Sequence, residues 1–470
     1  MVVGDLTQEV ELLVIGAGPG GYVAACAAAD RGMQTAIVER AEVPGGVCLR
    51  EGCIPSKALL HVAKTISEAQ HAESYGVEFA RPRIDLDKLR HWKNGVIRKL
   101  AGGVKSLLNG RKIEVIAGRA HFEDSRTVHV EGGEVSRLKF KHCIIATGSR
   151  ARTLPESVIP QALCWDAADA LQLPEIPRRL LIVGGGYIGL ELGQVYAMLG
   201  SEVTVVEALP AILSGVDADL AKPLVARLNK QMKAIHTGAA LKGAAPSGSA
   251  VKVTFALDGA DRSEEFDRVL VSVGRRPNTD DLGLEKTRVR VNDRGFIEVD
   301  ARRQTTDKRV YAIGDVAGDP MLAHKASREA KVAVAAIAGD PTVFDPACIP
   351  SVVYTDPEVA WCGVTEAEAA AAGLDVKVTK FPWAASGRAV SMGRPEGLTK
   401  LIFDRQSQRL VGAGVVGAHA GDLISEAVLA MEMSAVAEDI CTAIHPHPST
   451  GETLMEAAEA MFGKAIHGAH

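Results

Sequence analysis

Aromatic side chains make up only 4% of the 470 residues, so a core must be built from aliphatic ones. The chain also lacks a long basic run. Its 53 Lys and Arg stand against 58 Asp and Glu, a formal charge of -5, which excludes nucleic acid as an expected partner. No unbroken apolar stretch reaches the ~18 residues of a membrane span. The start, MVVGDLTQEVELLVIG, has neither the basic region nor the small-residue cleavage site of a secretory leader. The expectation is a cytoplasmic protein with no membrane attachment. Eight cysteines, scattered except for Cys48 and Cys53, are too few for a disulfide scaffold. What is present, 47% hydrophobic and 24% charged residues, suits a globular protein of more than one domain.

The clearest internal signal is a repeat of strand, glycine turn and helix. Leu12-Leu13-Val14-Ile15 runs into Gly16-Ala17-Gly18-Pro19-Gly20-Gly21, and Leu180-Leu181-Ile182-Val183 into Gly184-Gly185-Gly186-Tyr187-Ile188-Gly189. Each fingerprint is followed by a β-rich run ending in an acid, Glu39 and Glu207, both 23 positions past the first glycine. In such a unit the first glycine makes the turn and the second admits a pyrophosphate to the backbone. The third lets helix pack on strand, and the acid meets ribose hydroxyls. Two dinucleotides are expected. At Glu207 a carboxylate would repel a 2′-phosphate, which favours NAD over NADP.

Further strand-to-turn exits follow at HCIIATGS, DRVLVSVGRRPN and VYAIGDVAG, and MLAHKASREAKVAVAAIAG reads as a long helix. Prolines at 341, 346 and 350 mark a change of domain, beyond which TKLIFD, LVGAGVVG and ISEAVLAMEM give an α+β pattern.

The segment Gly45-Gly46-Val47-Cys48-Leu49-Arg50-Glu51-Gly52-Cys53-Ile54-Pro55-Ser56-Lys57 carries the chemistry. Without a second Cys/His pair at suitable spacing it is a poor zinc site, and no metal is expected. Two inert core thiols remain an alternative. A cysteine opening a helix, with Pro55 in the first turn, should have a stabilised thiolate, as a redox dithiol needs. Near the end, His447 and Glu452 in HPHPSTGE have the spacing of a base and its orienting carboxylate, though taken alone a histidine between prolines is more often a turn residue.

Taken together, GGVCLREGCIPSK, both fingerprints, ATGS, VGRRPN, AIGDV, MLAHKA, FPWAASGRA and HPHPSTGE resemble the dihydrolipoamide dehydrogenase branch of the disulfide oxidoreductase family, nearly end to end. The resemblance implies two Rossmann-like α/β domains and a C-terminal α+β dimerisation domain. They would be an FAD domain of 1–150 and 276–345, an NAD domain of 151–275 and an interface domain of 346–470. It implies that Gly16, Gly18, Gly21, Glu39, Lys57, Ala120, Thr147, Gly148, Ser149, Asp315, Met321, Leu322, Ala323 and His324 hold FAD. Gly184, Gly186, Gly189, Glu191, Glu207 and Gly274 would hold NAD. Lys57 and Glu191 would pair beside the flavin, and Cys48 and Cys53 would form the redox disulfide. His447 and Glu452 would come from the other subunit of a homodimer. The activity implied is oxidation of dihydrolipoyl groups with reduction of NAD⁺, and no lipoyl domain precedes the first fingerprint. The lipoyl group is therefore expected on a partner acyltransferase or carrier protein of a 2-oxo acid dehydrogenase-type complex.

Some residues depart from the family pattern: Pro446, Ser449, Thr450 and Gly451 beside the histidine, and Arg50-Glu51 between the cysteines. Glutathione-type reductases would need basic residues after Glu207 for a 2′-phosphate. A mercuric reductase would need a terminal cysteine pair. A transhydrogenase would have no reactive pair, and a purely structural subunit would need no flavin. A related reductase of another small dithiol is the alternative activity.

Overall fold

The computed structural model describes residues 7–132 and 135–468, so the leader reading of the first positions lies partly outside it. Among these residues, a seven-stranded sheet is built on the first apolar run. Its strand Thr7–Ile15 lies parallel between Thr35–Glu39 and Arg137–Ile145, and Val310–Ala312 joins on the far side of Arg137–Ile145. Leu12, Leu13 and Val14 are wholly buried, as in a strand covered on both faces. Each such side chain contributes roughly 1.5–3 kcal/mol of burial. The helices Pro19–Ala29 and Ala323–Ile337 pack together on one face.

A second parallel sheet repeats the plan. Arg179–Val183 lies between Glu202–Val206 and Arg268–Val271, and the helix Tyr187–Leu199 opens after the second fingerprint. The antiparallel strands Ala240–Ser247, Ala250–Leu257 and Ala260–Phe266 form a separate small sheet. Ser149–Ala151 pairs with Arg275–Pro277 where the chain crosses into this region and returns.

Beyond residue 350 a five-stranded antiparallel sheet runs from Ser351–Val353 through Glu358–Gly363, Leu410–Gly417 and Leu398–Asp404 to Val376–Pro382. The helices Ala420–Glu432 and Glu452–Glu459 cover it over a core around Trp383, Phe403 and Val415. Two parallel α/β units with a C-terminal α+β unit are the architecture expected from the sequence. Among the described residues, no helix is long and apolar enough to cross a membrane.

Candidate active site

The two fingerprints make cradles that side chains would fill. A Cβ on Gly16, where φ is +100°, would stand 2.5 Å from the Ala146 carbonyl oxygen, and one on Gly21 would stand 1.8 Å from that of Gly16. The second unit matches: a Cβ on Gly184 would meet the Ser272 oxygen at 2.2 Å, and one on Gly189 the Gly184 oxygen at 2.4 Å. Gly186, the middle glycine, faces open space. Each acid closes back on its own turn. Glu39 accepts from the Ala17 and Ala41 amides at 2.7 and 2.9 Å, and Glu207 from those of Gly185 and Leu209 at 2.5 and 2.7 Å.

A cleft of 590 Å³ runs from Gly16, Gly18 and Glu39 to Cys48, Cys53, Lys57 and Glu191. Ala120, Thr147, Gly148, Ser149, Asp315, Met321 and Ala323 also line it. A dinucleotide laid along it would have its pyrophosphate at the start of the helix Pro19–Ala29 and its far ring at the thiols. The glycine cradle and the length of the cleft thus fit a flavin dinucleotide. Leu322 and His324 do not line the cleft. The chain is extended at Leu322, so side chains alternate, and His324 turns away to bond the Pro350 carbonyl at 2.8 Å. Of the residues expected to hold NAD, Glu191 lines this cleft, whereas Gly184, Gly186, Gly189, Glu207 and Gly274 lie outside its lining.

Hydrogen bonds clamp the cleft walls. Asn278 donates to the Thr147 carbonyl at 2.9 Å while the Thr147 hydroxyl donates to the Asn278 carbonyl at 2.7 Å. Arg275 donates to the Ser149 hydroxyl at 2.7 Å, and that hydroxyl donates to Asp315. Wholly buried Glu329 accepts from the Gly314 amide at 2.6 Å and pairs with Arg303 and Lys325, which fixes the loop carrying Asp315.

Cys48 lies on the short helix Gly46–Glu51, and Cys53 opens the helix Cys53–His71. Both are free thiols in hydrogen-bond contact. The bond from Cys48, helped by the Lys57 ammonium, lowers Cys53 to about 7 against its desolvation. Donating that bond, together with burial, pushes Cys48 far up. Lys57 Nζ donates to both oxygens of Glu191, which is 3% exposed and also accepts the Tyr354 amide at 2.9 Å.

His447 Nδ1 bonds Glu452 Oε1 at 2.9 Å, and the Ser449 amide bonds the other oxygen at 2.7 Å. Burial works against the Glu452 carboxylate, yet these two partners hold it below its ordinary range. The imidazole is 80% exposed, and neither residue lines the cleft, so one chain does not bring this pair to its own thiols.

Asp217, Asp219 and Glu366 converge closely enough to ligate a metal, but Lys400 Nζ, 1% exposed, sits among them at 2.9, 2.5 and 2.6 Å. The sequence reading passed over three cleft neighbours. Tyr187 and Arg275 line the cleft, and the Tyr354 ring lies 4.5 Å from Lys57 Nζ. Tyr187 stands inside a fingerprint and could have been found there. Tyr354 carries no local signal.

Residues 10–330 match the family model of pyridine nucleotide-disulphide oxidoreductases, and residues 349–458 match that family's dimerisation domain. A dihydrolipoyl dehydrogenase of Geobacillus stearothermophilus is 46% identical over 99% of both chains. One of Thermus scotoductus is 48% identical over 98% of this chain and 99% of its own. Among solved structures, LpdA of Mycobacterium tuberculosis aligns at a TM-score of 0.88 with 25% identity, covering 96% of this chain and 100% of its own. The Escherichia coli flavoprotein disulfide reductase RclA, as its Cu(II) complex, aligns at 0.86 with 27% identity, over 96% and 99%. With both parts of the family pattern matched and relatives aligned over nearly every residue, the chain belongs to the pyridine nucleotide-disulphide oxidoreductase family.

Proposed function

We propose that the chain oxidises dihydrolipoyl groups to lipoyl groups and reduces NAD⁺, through FAD and a Cys48–Cys53 disulfide. One observation carries the reading: two hydrogen-bonded thiols of opposite acidity at the wall of a dinucleotide-sized cleft. In this reading the FAD domain comprises 1–150 and 276–345, the NAD domain 151–275, and the interface domain 346–470.

His447 comes from the second subunit of a homodimer, an arrangement the dimerisation-domain match supports. Its Nδ1–H is held by Glu452, which leaves Nε2 to take the proton of a dihydrolipoyl thiol. The resulting thiolate attacks Cys48 in the oxidised pair, breaks the S–S bond and frees Cys53 as a thiolate. The second substrate thiol closes the lipoyl ring and releases Cys48. Cys53, favoured as the anion by Cys48 and Lys57, keeps the charge. Bound FAD supplies a two-electron acceptor between Cys53 and NAD⁺. The lipoyl group arrives on an acyltransferase or carrier protein.

The test is turnover of dihydrolipoamide with NAD⁺ and with NADP⁺, beside Cys48→Ser and His447→Gln. NAD⁺-dependent activity lost in both variants supports the reading; full turnover in either one overturns it.

A further inference from the structure

A second pair of cysteines meets outside the cleft. Cys362 lies on the strand Glu358–Gly363, 1% exposed. Cys348 lies on the connector just before Ser351–Val353, which pairs antiparallel with that strand through Ser351↔Trp361 and Val353↔Val359. This register folds the connector back beside Cys362, whose thiol donates a hydrogen bond to Cys348. One side of Cys348 packs on the C-terminal core that contains Cys362. The other side lines a cavity of 380 Å³ with His324, Arg328, Phe344 and Glu432.

We propose that Cys348 and Cys362 are a second redox pair, separate from Cys48 and Cys53, that closes to a disulfide when hydrogen peroxide enters the cavity at Cys348. The Cys348 thiolate attacks the O–O bond and takes one oxygen as sulfenic acid, and the other oxygen leaves as water with the thiol proton. Cys362 then attacks the Cys348 sulfur, expels its oxygen as a second water and forms the S–S bond. The two sulfurs lose one electron pair, which the peroxide bond accepts.

The order of reaction follows from the surroundings. The bond from Cys362 and the Gly363 amide hold Cys348 below the ordinary thiol range, against burial and the Glu432 carboxylate. Cys362, the donor and the deeper of the two, is raised and serves as the resolving thiol. The strand they would tie down ends beside the site: the Pro350 carbonyl bonds His324, and the Tyr354 amide bonds Glu191.

The test treats the purified full-length protein with hydrogen peroxide, blocks free thiols and digests with trypsin. Cys348 and Cys362 fall in the peptide 332–377, whereas Cys48 and Cys53 fall in 41–50 and 51–57, so the two pairs are read separately. The expected result is loss of two hydrogens from 332–377, with its halves still joined after cleavage at Glu358 until a reductant is added. Cys362→Val should stop at a dimedone-reactive sulfenic acid on Cys348, Cys348→Ala should leave Cys362 unreacted, and both should keep dihydrolipoamide turnover. Over-oxidised Cys348 beside free Cys362 would overturn the proposal. So would two free thiols at a dose that fully oxidises Cys48 and Cys53, or equal reactivity of Cys362 without Cys348.

Discussion

Lys57 Nζ lies 2.8 and 3.1 Å from the two oxygens of Glu191, so an ammonium on one helix neutralises a carboxylate on another 134 positions away. Glu191 is almost fully buried, and among the described residues its other hydrogen bond comes from one backbone amide. Removing Lys57 leaves that carboxylate without its counter-charge, which costs about 3–5 kcal/mol. Lys57→Met is expected to lower the midpoint of chemical unfolding accordingly. It should also raise the Cys53 pKa, because a favourable charge is gone. Denaturant titration and pH-dependent alkylation of Cys53 measure the two effects, and unchanged values in both would show the pair to be inconsequential.

The thiols should separate on a pH scale. Cys53, lowered to about 7, is a thiolate above that pH and a thiol below it, whereas Cys48 stays protonated well into alkali. In the reduced protein without flavin, alkylation of the peptide 51–57 should rise through pH 7 while that of 41–50 stays flat. Two thiols titrating together at the ordinary cysteine value, about 8.5, would contradict the hydrogen-bonded arrangement.

His447→Gln keeps a polar side chain but removes the proton acceptor. A general base is typically worth about 10²–10⁴-fold, and a loss of that size is expected in kcat for dihydrolipoamide. Glu452→Gln, which keeps the side-chain shape but not the charge, should lose less. Transfer of electrons from NADH to an artificial acceptor, which bypasses the dithiol, should survive in both variants.

Glu207 is held by two backbone amides at the end of its strand, so its carboxylate is placed before any nucleotide arrives. Bonds from ribose hydroxyls to an ionised group are worth about 1.5–3 kcal/mol. Glu207→Ser should therefore reduce kcat/KM for NAD⁺ by roughly 10- to 100-fold and lower the NAD⁺/NADP⁺ preference. Steady-state kinetics with each nucleotide decide it; an unaltered preference would remove Glu207 from nucleotide selection.

The runs Leu12–Ile15 and Leu180–Val183 could be read as strands because they are buried on both faces and leave no polar alternation to confuse them. Their glycine turns then located the helices. The strand Ala240–Ser247 gave no such signal, since Gly243 and Pro246 interrupt it and much of it is exposed or half-exposed. The long helix Leu86–Gly110 was likewise missed, with glycines at 95, 102 and 103 lowering its propensity. The thiol segment and the glycine turns are local in the chain, and local patterns can be recognised. The support of Lys57 by Tyr354, and of the Asp315 loop by Glu329, exists only after distant strands meet.

Because the imidazole of His447 is 80% exposed and lies off the cleft that holds the sulfur atoms of its own chain, the proposed dimer would confine damage to either group to one half of a shared workplace. A chain with a spoiled sulfur pair still carries an intact imidazole, and one with a spoiled imidazole still carries intact sulfurs. Two inactive versions mixed in one dimer of the proposed kind would therefore contain the parts for a single working centre.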